Sequence, residues 1–479
     1  MKQPLTMIAR LSRYQALALL ALLVALGGSS YAAATKLVPK NSVGSAQVIN
    51  GSLKKVDLNK KTIAALKGAR GPRGLQGSAG PAGPQGAQGP KGDTGAPGAP
   101  GPAGAQGPQG LPGTAIARFE PSANTLTTLD GAGNVGQDTS TTIGADGLGL
   151  VSYRDVTNQD LKVAHCSNPS CTSATRSTLD SAGDVGADSS VAVGADGLGL
   201  ISYLDGTNYD LKVAHCGNLA CTSATLHTID SSGDAGTDTS VTIGADGLGL
   251  ISYYDDTNDD LRVAHCNDVG CTGASKSTLD STGVVGGYTS ATMGADGLGL
   301  ISYYDFTNHD LKVAHCTDVG CSSATTTPLD SAGDVGTWTS ATIGADGLGL
   351  ISYFDVSNID LKVAHCDNLP CTTATASMLD GAGSMVGADT SATIGPDGLG
   401  LISYYDNTNT ALAVAHCDNT ACTGAHKALP DSAGAVGIST SVTVGVDGLP
   451  LISYWDGTNA DLKVAHCANA FCTPYFRRR

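Results

Sequence analysis

Seven copies of a His-Cys pair, each with a second Cys five positions on, are the residues best equipped for chemistry in this chain; one copy is His265, Cys266 and Cys271. Imidazole and thiolate together can bind zinc, and histidine is the commonest general base. In a strand, however, His265 and Cys266 project to opposite sides, which makes a shared metal awkward. The seven equivalents His165, His215, His265, His315, His365, His416 and His466 recur once per repeat. Equal residues spread over equal units do not meet, whereas a catalytic centre needs unlike residues that converge. These histidines read as buried, hydrogen-bonded residues between neighbouring units. The cysteines form seven CxxxxC pairs: Cys166 with Cys171, Cys216 with Cys221, Cys266 with Cys271, Cys316 with Cys321, Cys366 with Cys371, Cys417 with Cys422 and Cys467 with Cys472. An even, regularly paired set reads as disulfides in an exported protein. Each pair sits at the end of the third strand and just past a short loop, and is expected to staple one hairpin.

The second group able to do chemistry is acidic. Asp255, Asn258 and Asp260, with Asp205, Asn208 and Asp210 one repeat earlier, offer oxygen atoms of the kind Ca²⁺ accepts. The pattern DxTNxD supplies too few ligands for a full shell, and Asp and Asn are also what a tight turn selects. Turn chemistry is the expected role of these residues. Ca²⁺ at Asp205, Asp210, Asp255 and Asp260 is the weaker alternative, and no other cofactor is expected.

The elements that must position these residues follow from one period. The Asp of the GADG-type turn recurs at Asp146, Asp196, Asp246, Asp296, Asp346, Asp397 and Asp447, a step of 50 residues and once of 51. The extra residue falls in Gly381 to Ala388, which reads as a surface loop. Within one unit, Thr239–Gly244, Leu248–Tyr254, Leu261–Cys266 and Ala274–Leu279 read as four short strands separated by turn residues. Four strands per unit, seven times over, predicts an all-β, seven-bladed β-propeller with four-stranded blades. Both sides of Leu261–Cys266 are apolar or small, as a sheet between two neighbours requires. The small residues of the first strand suit a crowded ring centre. The last unit lacks a fourth strand, and Thr125–Asp130 resembles the missing one. It is expected to complete the seventh blade and leave no open edge; the competing possibility is that Tyr475–Arg479 does so.

Differences among repeats show where variation is allowed. The position after the strand tyrosine is Arg154, Leu204, Tyr254, Tyr304, Phe354, Tyr405 and Trp455; the mid-loop position includes Asp256 and Phe306. In a propeller, the loop between second and third strands opens on the face that carries the long connections between blades. Arg154, Tyr254, Asp256, Tyr304, Phe306, Phe354, Tyr405 and Trp455 are therefore the candidate ligand-binding face, suited to sugars or a partner protein.

Ahead of the repeats the composition changes twice. Residues 1–34 carry Lys2, Arg10 and Arg13, an apolar run Ala16–Leu26 and small residues at Ala32–Ala34, the order of a secretory signal peptide. Its removal leaves no expected membrane span. Residues 35–67 form a basic foot or linker. Across residues 68–115 glycine occupies every third position without a break from Gly68 to Gly113. Only glycine fits the axis of three intertwined polyproline-II chains, so the tract specifies a collagen triple helix and a homotrimer, a rod of roughly 140 to 150 Å. Residues 116–479 form the propeller. The whole chain has a net charge of −16, concentrated in the repeats, so no nucleic acid partner is expected.

The Gly-X-Y tract with its leader resembles bacterial collagen-like surface proteins, which implies an exported, stalked trimer. The ISYYD-type units resemble bacterial propeller repeats related to sialidase-like and other carbohydrate-binding propellers. Sialidase-like enzymes carry an arginine cluster, a nucleophilic tyrosine with a partnering Glu, and Asp-box turns. Here Arg118, Arg154, Arg176 and Arg262 do not recur as a set, Glu120 is the sole Glu, and GADGLGL is not an Asp-box. The expectation is a secreted, extracellular or surface-associated protein, not an enzyme, whose trimeric heads bind glycan or protein multivalently; a purely structural matrix role and a carbohydrate enzyme are the alternatives.

Overall fold

A computed structural model describes residues 123–381 and 383–473. All belong to the second of the chain's two units, Pro108–Arg479. The expected signal peptide (1–34), foot (35–67) and stalk (68–115) lie outside the described residues, as does Tyr475–Arg479. The described residues form seven four-stranded antiparallel sheets, the blades of an all-β propeller. Blade three runs Ala235–Ile243, Gly249–Asp255, Asp260–Cys266 and Ala274–Asp280 from the inside outward.

The apolar runs of the second and third strands explain why blades exist only as neighbours. Ile251, Tyr253, Ala264 and Cys266 of blade three pack on Leu200, Leu211 and Val213 of blade two. Leu250, Leu261 and Val263 face the other way, onto Ile301, Tyr303, Ala314 and Cys316 of blade four. Every core is thus an inter-blade layer, and each fully buried Leu, Val or Ile contributes about 1.5–3 kcal/mol only once the neighbour is in place. Gly236, at φ +103°, marks how close the layers come: a Cβ there would lie 2.7 Å from Leu211 Cα of blade two.

The ring closes as the unit arithmetic requires. Thr125–Asp130 pairs antiparallel with Asp461–His466 and is the outer strand of blade seven. Asn124 reinforces the junction, donating to the Cys472 carbonyl (2.8 Å) and accepting from the Ala468 N–H (3.0 Å). Leu129, Leu451, Leu462 and Val464 then bury the same surface against blade one that every other blade offers its successor.

All seven CxxxxC pairs are disulfides: Cys166 bonds Cys171, Cys216 bonds Cys221, Cys266 bonds Cys271, Cys316 bonds Cys321, Cys366 bonds Cys371, Cys417 bonds Cys422 and Cys467 bonds Cys472. The expected staple across a hairpin is corrected, because the second cysteine of each pair never reaches a strand. In blade three Cys266 faces Ala274 in the ladder, and Cys271 stays in the loop before it. Cys171, Cys221, Cys321, Cys371 and Cys422 occupy the same loop position in their own blades, and Cys472 in the last. There the backbone turns left-handed, with φ between 48° and 52° at Cys171, Cys221, Cys271, Cys321, Cys371, Cys422 and Cys472. That turn swings each thiol back under the strand end, where it is buried in the inter-blade core. The bridge therefore closes the Cys loop on itself and fills the end of the core.

The histidines flank these loops. His265 Nε2 bonds Asp246 Oδ2 (3.0 Å) of the GADG turn in its own blade, and its ring lies under Gly320 in the Cys loop of blade four. His165, His215, His315, His365 and His466 make the same bond to the GADG-type Asp of their own blades, whereas the buried ring of His416 lies 3.0 Å from Asp397 Oδ2 without a well-directed hydrogen bond.

Candidate functional site

The inner strands begin four residues earlier than the pattern of small residues suggests, and the early part carries the site. In blade three the ladder between Ala235–Ile243 and Gly249–Asp255 slips twice, between Ala235 and Thr237 and between Thr237 and Ser240. The extra residue at that bulge, Asp238, takes φ +53°, and its side chain turns into the centre of the ring. The seven equivalents are Asp138, Asp188, Asp238, Tyr288, Trp338, Asp389 and Ser439, all at φ between 48° and 53°. With the Ser or Thr that follows each, they line a central cavity of about 350 Å³. The expected crowding of the ring centre is therefore corrected: small residues pack the lower wall, but the bulge opens a well above them.

The well is tied together from blade to blade. The Asp238 N–H donates to Asp188 Oδ2 (3.0 Å), the Tyr288 N–H to Asp238 Oδ2 (2.7 Å) and the Ser439 N–H to Asp389 Oδ2 (3.2 Å). Beneath them Thr239 donates to Ser202 and Thr289 to Ser252, both at 2.8 Å. Depth in the well penalises charge on the acids. Burial and the carboxylates of Asp188 and Asp389 push Asp138 up to about 7 against the pull of Arg154, and burial with Asp188 and Asp256 pushes Asp238 up to about 7. Burial also raises Asp188 and Asp389.

The candidate-face residues ring this well, but the expectation that they form an exposed face is corrected for Tyr254, Tyr304 and Phe354, which are buried, whereas Phe306 is exposed. Tyr254, Tyr304, Phe354, Tyr405, Trp455 and Arg154 each pair across the ladder with the residue just before the bulge residue: Thr237, Gly287, Thr337, Ala388, Ile438 and Gln137. On one side the rings meet. Tyr304 stacks edge-on to Phe306 (4.8 Å), Phe306 lies 5.9 Å from Tyr254 and 6.3 Å from Tyr288, and Trp338 stands 5.5 Å from both Tyr288 and Phe354. Tyr254 donates to Asp259 (2.8 Å) and Tyr304 to Asp334 (2.7 Å), so both rings are held. Arg154 is bound to Asp184 (2.6 Å), and exposed Asp256 accepts from Thr237 (2.6 Å). Tyr405 lies in blade six, next to the blade of Trp338 and Phe354, and Trp455 in blade seven.

The Ca²⁺ candidates divide. Both oxygens of Asp255 are used by its own turn, Oδ1 by the N–H groups of Thr257 and Asn258 (both 3.1 Å) and Oδ2 by the Asn258 amide (3.0 Å), with Arg262 also on Oδ2 at 3.0 Å. Asp205 is engaged likewise by Thr207 and Asn208. Asp210 and Asp260 are pushed upward by partial burial and by Asp205 and Asp255 beside them. Among the described residues no group of three or more His, Cys, Asp or Glu is placed to hold a metal ion.

Sequence reasoning missed a second recurring arrangement. The Asp that ends each fourth strand reaches into the next blade and is buried at Asp130, Asp180, Asp230, Asp280, Asp330 and Asp431 and half-buried at Asp380. Asp230 accepts from Tyr253 (2.7 Å), Arg262 (2.8 Å) and Lys276 (2.7 Å) of blade three. Asp130, delivered by the closing strand, takes Tyr153 (2.8 Å), Lys162 (2.7 Å) and Arg176 (2.5 Å) of blade one. Burial opposes ionisation of Asp130, yet the hydrogen bonds from Lys162 and Tyr153 and the charges of Lys162 and Arg176 outweigh it and hold the carboxyl below its ordinary range. The signal was a Lys or Arg recurring within an apolar strand.

Residues 64–120 match the family model described as collagen triple helix repeat (20 copies). No curated protein is similar to the chain. Among solved structures, a protein of unknown function from Dyadobacter fermentans is similar over 71% of this chain and 97% of its own, at 11% identity and a TM-score of 0.47. The intramolecular trans-sialidase of Ruminococcus gnavus is similar over 72% and 97%, at 10% identity and a TM-score of 0.42. The α-L-arabinofuranosidase of Fusarium graminearum is similar over 58% and 91%, at 10% identity and a TM-score of 0.40. These likenesses are of fold alone. They correct the expectation that the chain is not an enzyme: propellers similar to it are glycosidases, and that exclusion does not stand. The chain is a seven-bladed propeller with a collagen-type repeat ahead of it.

Proposed function

We propose that this protein is a secreted, stalked homotrimer whose propeller heads bind a surface ligand multivalently at the central well. The observation that carries the reading is the broken symmetry of the well. Blades that agree almost letter for letter in turn, core and disulfide differ at the bulge, where four carry Asp, one Tyr, one Trp and one Ser. A position that only had to satisfy the bulge would take Asp or Ser throughout, since bulky side chains at positive φ are strained. The blades vary also at the rim and in the loops beside it, but the bulge is where varied side chains of all seven blades converge, and that convergence is what a ligand-selecting site needs. On the aromatic side of the rim Phe306 is exposed, with buried Tyr254 and Tyr304 packed against it and buried Phe354 packed against Trp338.

The rest of the chain fits this role. Seven disulfides suit an oxidising, extracellular setting, and the Gly-X-Y tract joins three chains. Three weak sites on one stalk gain about 10²–10⁴ in overall affinity through effective concentration. An array of glycans and envelope polymers probed with the full chain tests the proposal. Binding to at least one class, weakened on collagenase release of the heads, is expected; a chain that binds nothing on the array overturns it.

A further inference from the structure

Building on that reading of the well as a binding site, we propose that its ligand is an organic cation, an alkylammonium or quaternary ammonium group. Its charge would lie against Asp138, Asp188, Asp238 and Asp389, and its methyl or methylene surface against Tyr288 and Trp338.

Size comes first. A well of about 350 Å³ stands at the lower end of small-molecule sites and admits one compact head group. Charge comes second. The groups acting on Asp238 are Asp188, Asp256 and Asp138 and the N–H of Tyr288, and Asp389 is met by the N–H of Ser439. The cation nearest the cluster, Arg154, acts on Asp138 and Asp188 but is already bound to Asp184. Such a well rejects sugar carboxylates and phosphates and attracts positive charge.

The aromatic half decides which kind of cation. A hard divalent ion needs several oxygens converging at 2.0–2.6 Å, and the described residues offer no such group. A wider, weakly hydrated ammonium can span the acids without that convergence and gains from aromatic faces. Tyr288 and Trp338, 5.5 Å apart and backed by Phe306 and Phe354, provide those faces at two adjacent blades. Both adopt positive φ where Asp or Ser would relieve the strain, so the rings are placed there at a cost to the fold.

The raised acids make the site pH-sensitive. Asp138 and Asp238 hold protons up to about pH 7 in the empty well; a bound cation favours their ionised forms, so binding strengthens as pH rises through that range.

Calorimetric titration of the full chain with choline, with butylammonium and with 3,3-dimethylbutan-1-ol, the neutral shape mimic of choline, tests the proposal. Saturable binding of a cation, about tenfold or more tighter than the neutral mimic, is expected. Affinity should fall several-fold between about pH 8 and pH 5. Asp238→Asn keeps the shape, an acceptor for the Tyr288 N–H and a residue tolerant of positive φ; it should weaken cation binding about tenfold. Trp338→Ser, which copies Ser439, should do the same while blade packing persists. Equal affinity for the neutral mimic, no saturable binding of either cation, or an unchanged affinity in both folded variants overturns it. Array binding that survives such a result leaves the multivalent reading standing and removes this one alone.

Discussion

The phenol of Tyr253 in blade three donates a 2.7 Å hydrogen bond to Asp230, the last residue of blade two, and both side chains are fully buried. The same bond joins Tyr153 to Asp130, Tyr203 to Asp180, Tyr303 to Asp280, Tyr353 to Asp330, Tyr404 to Asp380 and Tyr454 to Asp431. Every blade is therefore clasped to its predecessor by one carboxylate. Tyr253→Phe removes one bond to a carboxylate that keeps its cations and should cost about 1–2 kcal/mol. Asp230→Ala leaves the buried Tyr253 phenol without its acceptor and takes one carboxylate from Lys276 and from Arg262, which keeps Asp255, and should cost more, roughly 2–4 kcal/mol. Denaturant midpoints of the two variants measure the difference; equal, negligible losses would remove the clasp from the account.

Closure of the ring gives a second expectation. Removing residues 124–130 deletes the outer strand of blade seven, the Asn124 bonds and the Asp130 clasp together. The thermal midpoint should fall by well over about 5 °C, and the exposed edge should promote association. A melt of the deletion variant at two concentrations reads both effects.

How much of this was legible in the sequence differs between the two layers of the molecule. The 50-residue step and the alternation in Leu261–Cys266 gave the blades and their two-sided cores, because identical units leave an identical apolar imprint. The cysteine pairing was legible from spacing alone, but the left-handed turn that holds Cys271 and its equivalents in the loop was not, because cysteine carries no preference for that conformation. The well was not visible, because the bulge at Asp238 breaks the period-two pattern that marks a strand. The inner strand seemed to begin at Thr239, one residue after the residue that matters. The variation Asp, Asp, Asp, Tyr, Trp, Asp, Ser at that position was a readable signal. The rim residues were found by that kind of comparison; what joins Tyr254 to Phe306 and Tyr288 is the curvature of the ring, which no single repeat encodes.

Stability should depend on pH in two opposed ways. Asp138 and Asp238 are raised from 3.8 to about 7, so the folded state holds protons that the unfolded chain releases. Their contribution is full below about pH 4 and is lost as pH rises toward 7. Asp130, Asp180, Asp230, Asp280, Asp330 and Asp431 are lowered despite burial, by their Lys or Arg and Tyr partners. Their contribution is full above about pH 4 and is lost as pH falls further. The empty head should be most stable near pH 4 to 5, and the double variant Asp138→Asn, Asp238→Asn should flatten the decline between there and neutrality. Urea midpoints across that range check both signs.

The disulfides are short staples, each closing a loop with a sequence separation of 5. In the chain-entropy model each is worth about 2 kcal/mol. Alkylation of the unfolded, unreduced protein should label no cysteine, and reduction should lower the thermal midpoint while leaving blade pairing intact.

Assembly into a stalked trimer underlies the multivalent reading most directly, and sedimentation of the full chain before and after collagenase measures it. The account predicts a trimer that falls to monomeric propeller heads once the Gly-X-Y tract is cut. A monomer that collagenase leaves unchanged would contradict it.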